Sequence, residues 1–228
     1  MTLSLGAFPI ALLLVALILP LAYSLKNRGS LKAVSGIIIC SAAVVALYPL
    51  VSFLSELLPP LGYTLGKVIL FILFPVVTVV LLERWRLRDC FLCLGIRKTA
   101  LSRSIVYGII AAAVTILITI LVITTTPFDV MFRTIMFFEA FTEEFYFRGF
   151  LFLYLLSKTN IKVAYTTSIL GFILIHPQHF TSLFLLSTIA QGVLLTVVAH
   201  KTKNILGPWI GHGLNRFFPV LIRNILGI

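Results

Sequence analysis

"SIVYGIIAAAVTILITILVITT", residues 104–125, contains no charged side chain. At 1.5 Å per residue such a helix covers the roughly 30 Å hydrocarbon core of a bilayer. The run is not isolated. Of 228 residues, 60% are hydrophobic and only 11% charged, and the mean hydropathy is +1.13. A soluble domain needs a polar shell that this composition does not supply. Closed β-barrels alternate in short segments, without such runs. Working outward, eight apolar segments can be marked, at about 5–25, 33–57, 62–82, 104–125, 130–156, 163–183, 184–200 and 205–225. They predict an all-α, polytopic membrane protein of about eight transmembrane helices. Residues 1–228 read as one integral membrane domain, with no internal repeat, low-complexity tract or separating linker.

The net charge is +11. The basic residues cluster between apolar segments, which suits anionic lipid headgroups better than nucleic acid, and no nucleic-acid-binding motif is present. The first segment has no basic residue ahead of it and Lys26, Arg28 and Lys32 behind it, a poor cleavable signal and a better first span. Loops after segments one, three, five and seven carry three, six, two and two Lys/Arg, thirteen in all; the other side carries Lys67, Arg133 and Arg223. The positive-inside rule therefore predicts a multi-pass protein with both termini outside. The loop 83–103 mixes basic and apolar residues and is expected along the inner interface. Its Cys90/Cys93 pair, lacking a second pair or a neighbouring histidine, is a weak zinc signal.

"FFEAFTEEFYFRGF", residues 137–150, breaks the apolar pattern. Ionisable residues inside spans cost at least ~2.5 kcal/mol each at mid-membrane and mark function by default. Segment five carries Glu139, Glu143, Glu144 and Arg148, segment six His176 and His179, and segment eight His212, Asn215 and Arg216. Glu144 and Arg148 are i,i+4, acid before base, and stack on one helix face. Glu143 points about 100° away, apart from that pair. An unpaired carboxylate in a dry site suits general-base work. Glu139, one turn before Glu143, either tunes it or makes a separate polar contact. Histidines in bundles often serve only as interhelical hydrogen-bond partners, the expected role of His179 and His200. Arg216 reads as an interfacial or pore-lining charge. Counting residues from the segment ends puts Glu143, His176 and His212 roughly 10–20 Å from the inner surface, in a polar cavity expected to open to the cytoplasm. Pro177 loosens the helix beside His176.

These residues resemble a known family. "EEFYFR" (Glu143, Glu144, Arg148) matches the E-E-x-x-x-R motif of the CPBP family, the CAAX proteases and bacteriocin-processing enzymes that include the type II CAAX prenyl endopeptidases. "FILIH" (Phe172 to His176) matches its F-x-x-x-H motif, and "HGLN" (His212 to Asn215) looks like its third. The resemblance, over about residues 137–216, implies an eight-helix intramembrane endopeptidase. Glu143 and His176 would activate a water, His212 and Asn215 would stabilise the oxyanion, and Arg148 would orient the glutamates. The substrate would be a membrane-associated peptide or a prenylated protein. In the family the asparagine often follows the histidine by four residues, the place Arg216 holds here; three keeps Asn215 on the same face.

If a zinc ion served the reaction, Glu143, His176 and His212 would be its ligands. No H-E-x-x-H is present, and the resemblance favours a glutamate mechanism with no metal and no cofactor. Asp89 and Asp129, the only aspartates, lie in loops, which removes an aspartyl dyad, and G-x-S-x-G is absent. The rivals are a transporter or proton relay and a non-catalytic membrane scaffold. A transporter would be expected to show repeated halves or paired broken helices, and neither is found. Eight spans with both termini outside predict that a C-terminal reporter enzyme works only when its activity requires the extracytoplasmic side; activity confined to the cytoplasm overturns the arrangement.

Overall fold

The structure, a computed structural model, describes residues 10–124 and 126–227. Residues 5–9 of the first expected segment and the two chain ends lie outside them. Among the described residues the chain is entirely helical, without a strand. Four helices are long and apolar enough to cross a membrane: Arg28–Leu47, Gly62–Glu83, Leu101–Val122 and Phe184–Thr202. Leu13–Lys26 and Ile161–Leu174 are shorter apolar helices. Two further rods, 130–158 and Leu206–Leu226, carry the ionisable residues of the first and third motifs.

Local chemistry sets several boundaries. Asp129 accepts a hydrogen bond from the Phe132 N–H at 3.0 Å, and Asn160 accepts one from Val163 at 3.0 Å, so each caps the helix it precedes. The expected segment 33–57 divides at Tyr48, with Pro49 opening a second helix, Pro49–Leu57. The expected segment 163–183 is not one span. Its helix, Ile161–Leu174, stops short of Pro177, which disfavours helical backbone before it and cannot donate to the preceding turn; a 3-10 turn, Pro177–His179, follows. His176 thus sits at a helix end, not within a helix.

The rod 130–158 is α-helical over Val130–Glu144, π-helical over Phe145–Tyr154 and α-helical again over Leu155–Lys158. Every residue of the π stretch is buried. π turns inside α-helices are frequent at functional sites, and here the change of pitch begins directly after Glu144. Phe147, Phe172 and Phe71 pack around this stretch, with ring centroids 5.6 Å apart for Phe147–Phe172 and 6.2 Å for Phe71–Phe147.

The helix Leu206–Leu226 packs most closely against Leu101–Val122. Gly207 and Gly211 form a G-x-x-x-G spacing that faces Ser104 and Gly108; a Cβ on Gly211 would lie 2.8 Å from the Gly108 carbonyl oxygen. Without a hydrophobic force between helices in lipid, such small-residue seams let backbones approach and gain contact. The seam fixes the helix that presents His212, Asn215 and Arg216 one turn further on. Leucine at Gly108 should overpack it, costing ~1–3 kcal/mol and lowering the melting temperature in detergent, whereas Gly29→Ala, whose Cβ meets open space, should leave it unchanged.

Candidate active site

Three segments bring their motif residues together. Arg148 is fully buried and donates to Glu144 Oε1 at 2.9 Å, the pair read from the i,i+4 spacing. It also donates to the Gln191 carbonyl at 3.1 Å, and its guanidinium lies 4.3 Å from the Phe172 ring centroid. One side chain therefore ties together the helices of the first and second motifs and Phe184–Thr202.

Glu143 departs from expectation. Its Oε1 is paired with both Lys67 and Arg216, the latter at 2.8 Å, so it does not lack a cation. Lys67, counted above as a loop charge, is buried within Gly62–Val68, 2.6 Å from Glu139 Oε1 and 4.8 Å from the Tyr63 ring centroid. Glu139 Oε2 is paired with Arg216 in turn. Glu139 and Arg216, left open by the sequence, are thus integral to the cluster. Three carboxylates (Glu139, Glu143, Glu144) face three cations (Lys67, Arg148, Arg216), and the buried cluster is electrically neutral. Such neutrality is what makes burial tolerable, because an unpaired charge in low dielectric costs several kcal/mol. The available signal for Lys67 was its place inside the apolar segment 62–82.

The second oxygen of Glu143, Oε2, is buried with no partner. It lies 3.8 Å from His176 Nε2 and 3.9 Å from His212 Nε2. Those separations exceed a hydrogen bond and suit one bridging water. Hydrogen-bond partners fix the imidazole tautomers. His176 Nδ1 lies 2.8 Å from the Phe172 carbonyl, an acceptor, so Nδ1 carries the proton and a neutral ring presents a lone pair at Nε2. His212 Nδ1 donates to Glu144 Oε1 at 2.8 Å, while its Nε2 accepts from Arg216 Nε at 3.0 Å. Asn215 Oδ1 lies 3.0 Å from the Thr119 hydroxyl, which leaves its amide nitrogen as the donor. His179 bonds Thr188 at 2.7 Å, as an interhelical partner would, and stacks on His176 with centroids 5.1 Å apart. His200 bonds the Tyr165 hydroxyl at 3.1 Å, away from the cluster.

Glu143, His176, His212, Asn215 and Arg216 line one cavity of about 290 Å³. Ile123, Phe132, Arg133 and Gln178, which lie at or just beyond helix ends, line it as well. The depth counted for His176 along a full span does not hold, because its helix ends at Leu174. Cys90, of the C-x-x-C pair, is buried away from this site, and burial pushes its thiol up to about 11, the reverse of a metal-binding or reactive thiolate.

Replacing Lys67 by Met should leave Glu139 and Glu143 with Arg216 alone and cost ~3–5 kcal/mol. The double variant Lys67→Met/Glu139→Gln, neutral again, should recover most of the melting temperature in detergent. Equal stability of Lys67→Met and wild type would mean that these ion pairs contribute nothing.

The chain shows no significant match to the curated proteins or to the solved structures compared with it. A family model described as type II CAAX prenyl endopeptidase Rce1-like matches residues 112–218, a little under half of the chain and the segment that holds all three motifs; it is the family that those motifs resemble.

Proposed function

We propose that this protein is an intramembrane endopeptidase that hydrolyses a peptide bond of a membrane-associated substrate with a water activated by Glu143 and His176. The observation that carries the proposal is the geometry of Glu143: one oxygen held by two cations, the other unpartnered and facing two imidazoles. The lone pair of His212 Nε2 is already taken by Arg216. Glu143 Oε2 and His176 Nε2 remain as two acceptors across 3.8 Å, and a single water, with two O–H groups, satisfies both.

In this mechanism the water oxygen attacks the scissile carbonyl carbon as Glu143 Oε2 takes a proton. The carbonyl oxygen becomes an oxyanion, which needs donors. His212 in its present tautomer offers none, so that role passes to the Asn215 amide and to N–H groups of Arg216 beyond the three engaged with Glu139, Glu143 and His212. Collapse of the intermediate breaks the C–N bond, and Glu143 returns the proton to the leaving amine. His212 links Glu144 to Arg216 and holds the guanidinium in place.

A zinc ion fits this donor set poorly. It would need the His212 lone pair that Arg216 occupies, and it would sit beside two positive charges already on Glu143. The transporter and scaffold readings draw no support from the family match.

The test is turnover of a membrane-presented quenched-fluorescence peptide in proteoliposomes. Glu143→Gln, which keeps the size of the side chain, and His176→Ala should abolish cleavage. Asn215→Ala should slow it by ~10²–10³-fold, as loss of one oxyanion donor does. Chelators should have no effect. Wild-type turnover in Glu143→Gln, or activity lost to a chelator and restored by zinc, would sink the metal-free mechanism.

A further inference from the structure

We infer that the connection 84–100 holds a binding site for the phosphate of an anionic phospholipid, in a pocket lined by Arg88, Arg97 and Lys98. The pocket has a volume of about 770 Å³ and shares no lining residue with the cavity at Glu143. Its place in the chain puts it at a bilayer surface. The connection joins two helices long and apolar enough to cross a membrane, Gly62–Glu83 and Leu101–Val122, so it lies at headgroup level whichever way the bundle is oriented. Within it the short helix Leu87–Cys93 exposes Leu87 and Leu92 beside Arg86 and Arg88, the mixture that rests in an interface. Trp85 precedes that helix, with Lys158 Nζ 5.5 Å from its ring centroid; indole and ammonium groups are both at home at that depth.

Three observations call for an anion. First, the basic groups have no acid among them. Glu83, at the start of the connection, is taken by Lys158 at 2.8 Å, and Asp89 does not line the pocket. Among the described residues no carboxylate pairs with Arg88, Arg97 or Lys98. Second, Arg97 Nε is buried with no hydrogen-bond partner, although a terminal nitrogen of the same guanidinium donates to the Leu92 carbonyl. A buried donor needs an acceptor, and a phosphate oxygen is the acceptor that a guanidinium fork suits best. Third, Lys203, in the turn after Phe184–Thr202, is near enough to feel the same arginine. Burial, and then the Arg97 charge, hold its ammonium below its ordinary pKa, a crowding of like charges that a bound anion relieves.

The rest of the lining selects a lipid over free phosphate. Leu92, Ile96 and Leu206 offer an apolar surface to the first carbons of an acyl chain, next to the basic groups that hold the headgroup. The walls are fixed without a ligand. Asn204 donates to the Arg97 carbonyl at 2.6 Å, Ile205 N–H donates to the Gly95 carbonyl at 3.0 Å, and Gly95 itself, at φ +87°, makes the turn that leads into Ile96 and Arg97. A preformed site loses less ordering entropy when it binds.

The test is native mass spectrometry of the full chain in detergent micelles, titrated with dioctanoyl phosphatidylglycerol, dioctanoyl phosphatidylcholine or inorganic phosphate. Wild type should hold one phosphatidylglycerol in clear preference to phosphatidylcholine, and inorganic phosphate should not displace it. Arg88→Gln/Lys98→Gln, at two exposed positions, should weaken that binding by about tenfold or more and leave the melting temperature in lipid-free detergent unchanged. Lys26→Gln/Arg28→Gln, which removes the same charge from another exposed loop, should leave binding unchanged. If the first double variant does not fold, Lys98→Gln alone carries the test, with a loss of roughly fivefold expected. Equal binding of the two lipids, displacement by inorganic phosphate at matched concentration, or an equal loss in the Lys26/Arg28 variant would each overturn the site.

Discussion

Everything at the site depends on how the two oxygens of Glu143 are divided. A carboxylate buried among phenylalanines must be compensated, and the compensation falls on one side: Lys67 and Arg216 both engage Oε1. Oε2 is left without a partner and aimed at His176 and His212. A symmetric arrangement, with one cation per oxygen, would neutralise the charge equally well and leave nothing to hold a water. The one-sided pairing accepts an unsatisfied buried oxygen, the kind of local cost that folded chains concentrate at functional sites.

The same logic runs outward through the hydrogen-bond network. Glu144 Oε1 accepts from Arg148 and from His212 Nδ1, which forces the His212 lone pair onto Nε2, where Arg216 Nε fills it. Arg216 is thereby fixed at three points, between Glu139, Glu143 and His212. A guanidinium is suited to this because its planar fork presents several donors in fixed directions, where an ammonium would act as a point charge. The arginine that holds the family's usual asparagine position is thus better anchored than Asn215 beside it.

Much of this was legible in the sequence, and what was not has a common cause. The Glu144–Arg148 pair could be read because both partners lie on one helix, four residues apart. The lengths of the apolar runs gave the helical architecture, and three ordered motifs gave the resemblance to the family whose model matches residues 112–218. Lys67 could not be assigned, because its partners are 72 and 76 positions away and a lysine five residues into a span counts as a loop charge until packing is known. The place of His176 was hidden for a related reason: Pro177 ends the helix early and leaves His176 at a turn, not inside a span. Information local to one helix survives in the sequence, while information about which helix end meets which does not.

Lys67 also bears on how the site is distributed over the chain. The family match covers residues 112–218, and Lys67 lies outside it, on a helix of the N-terminal half. Without that lysine, residues 112–218 would bring three buried carboxylates against two guanidiniums, an excess negative charge in the driest part of the bundle. In low dielectric such an excess either draws in water or takes up a proton, and either outcome removes an ionised, oriented Glu143. The motifs alone therefore do not make the site. The neutral cluster forms only when Gly62–Val68 docks against Val130–Glu144, so the N-terminal helices complete the chemistry by supplying one charge at one oxygen, as well as packing around it.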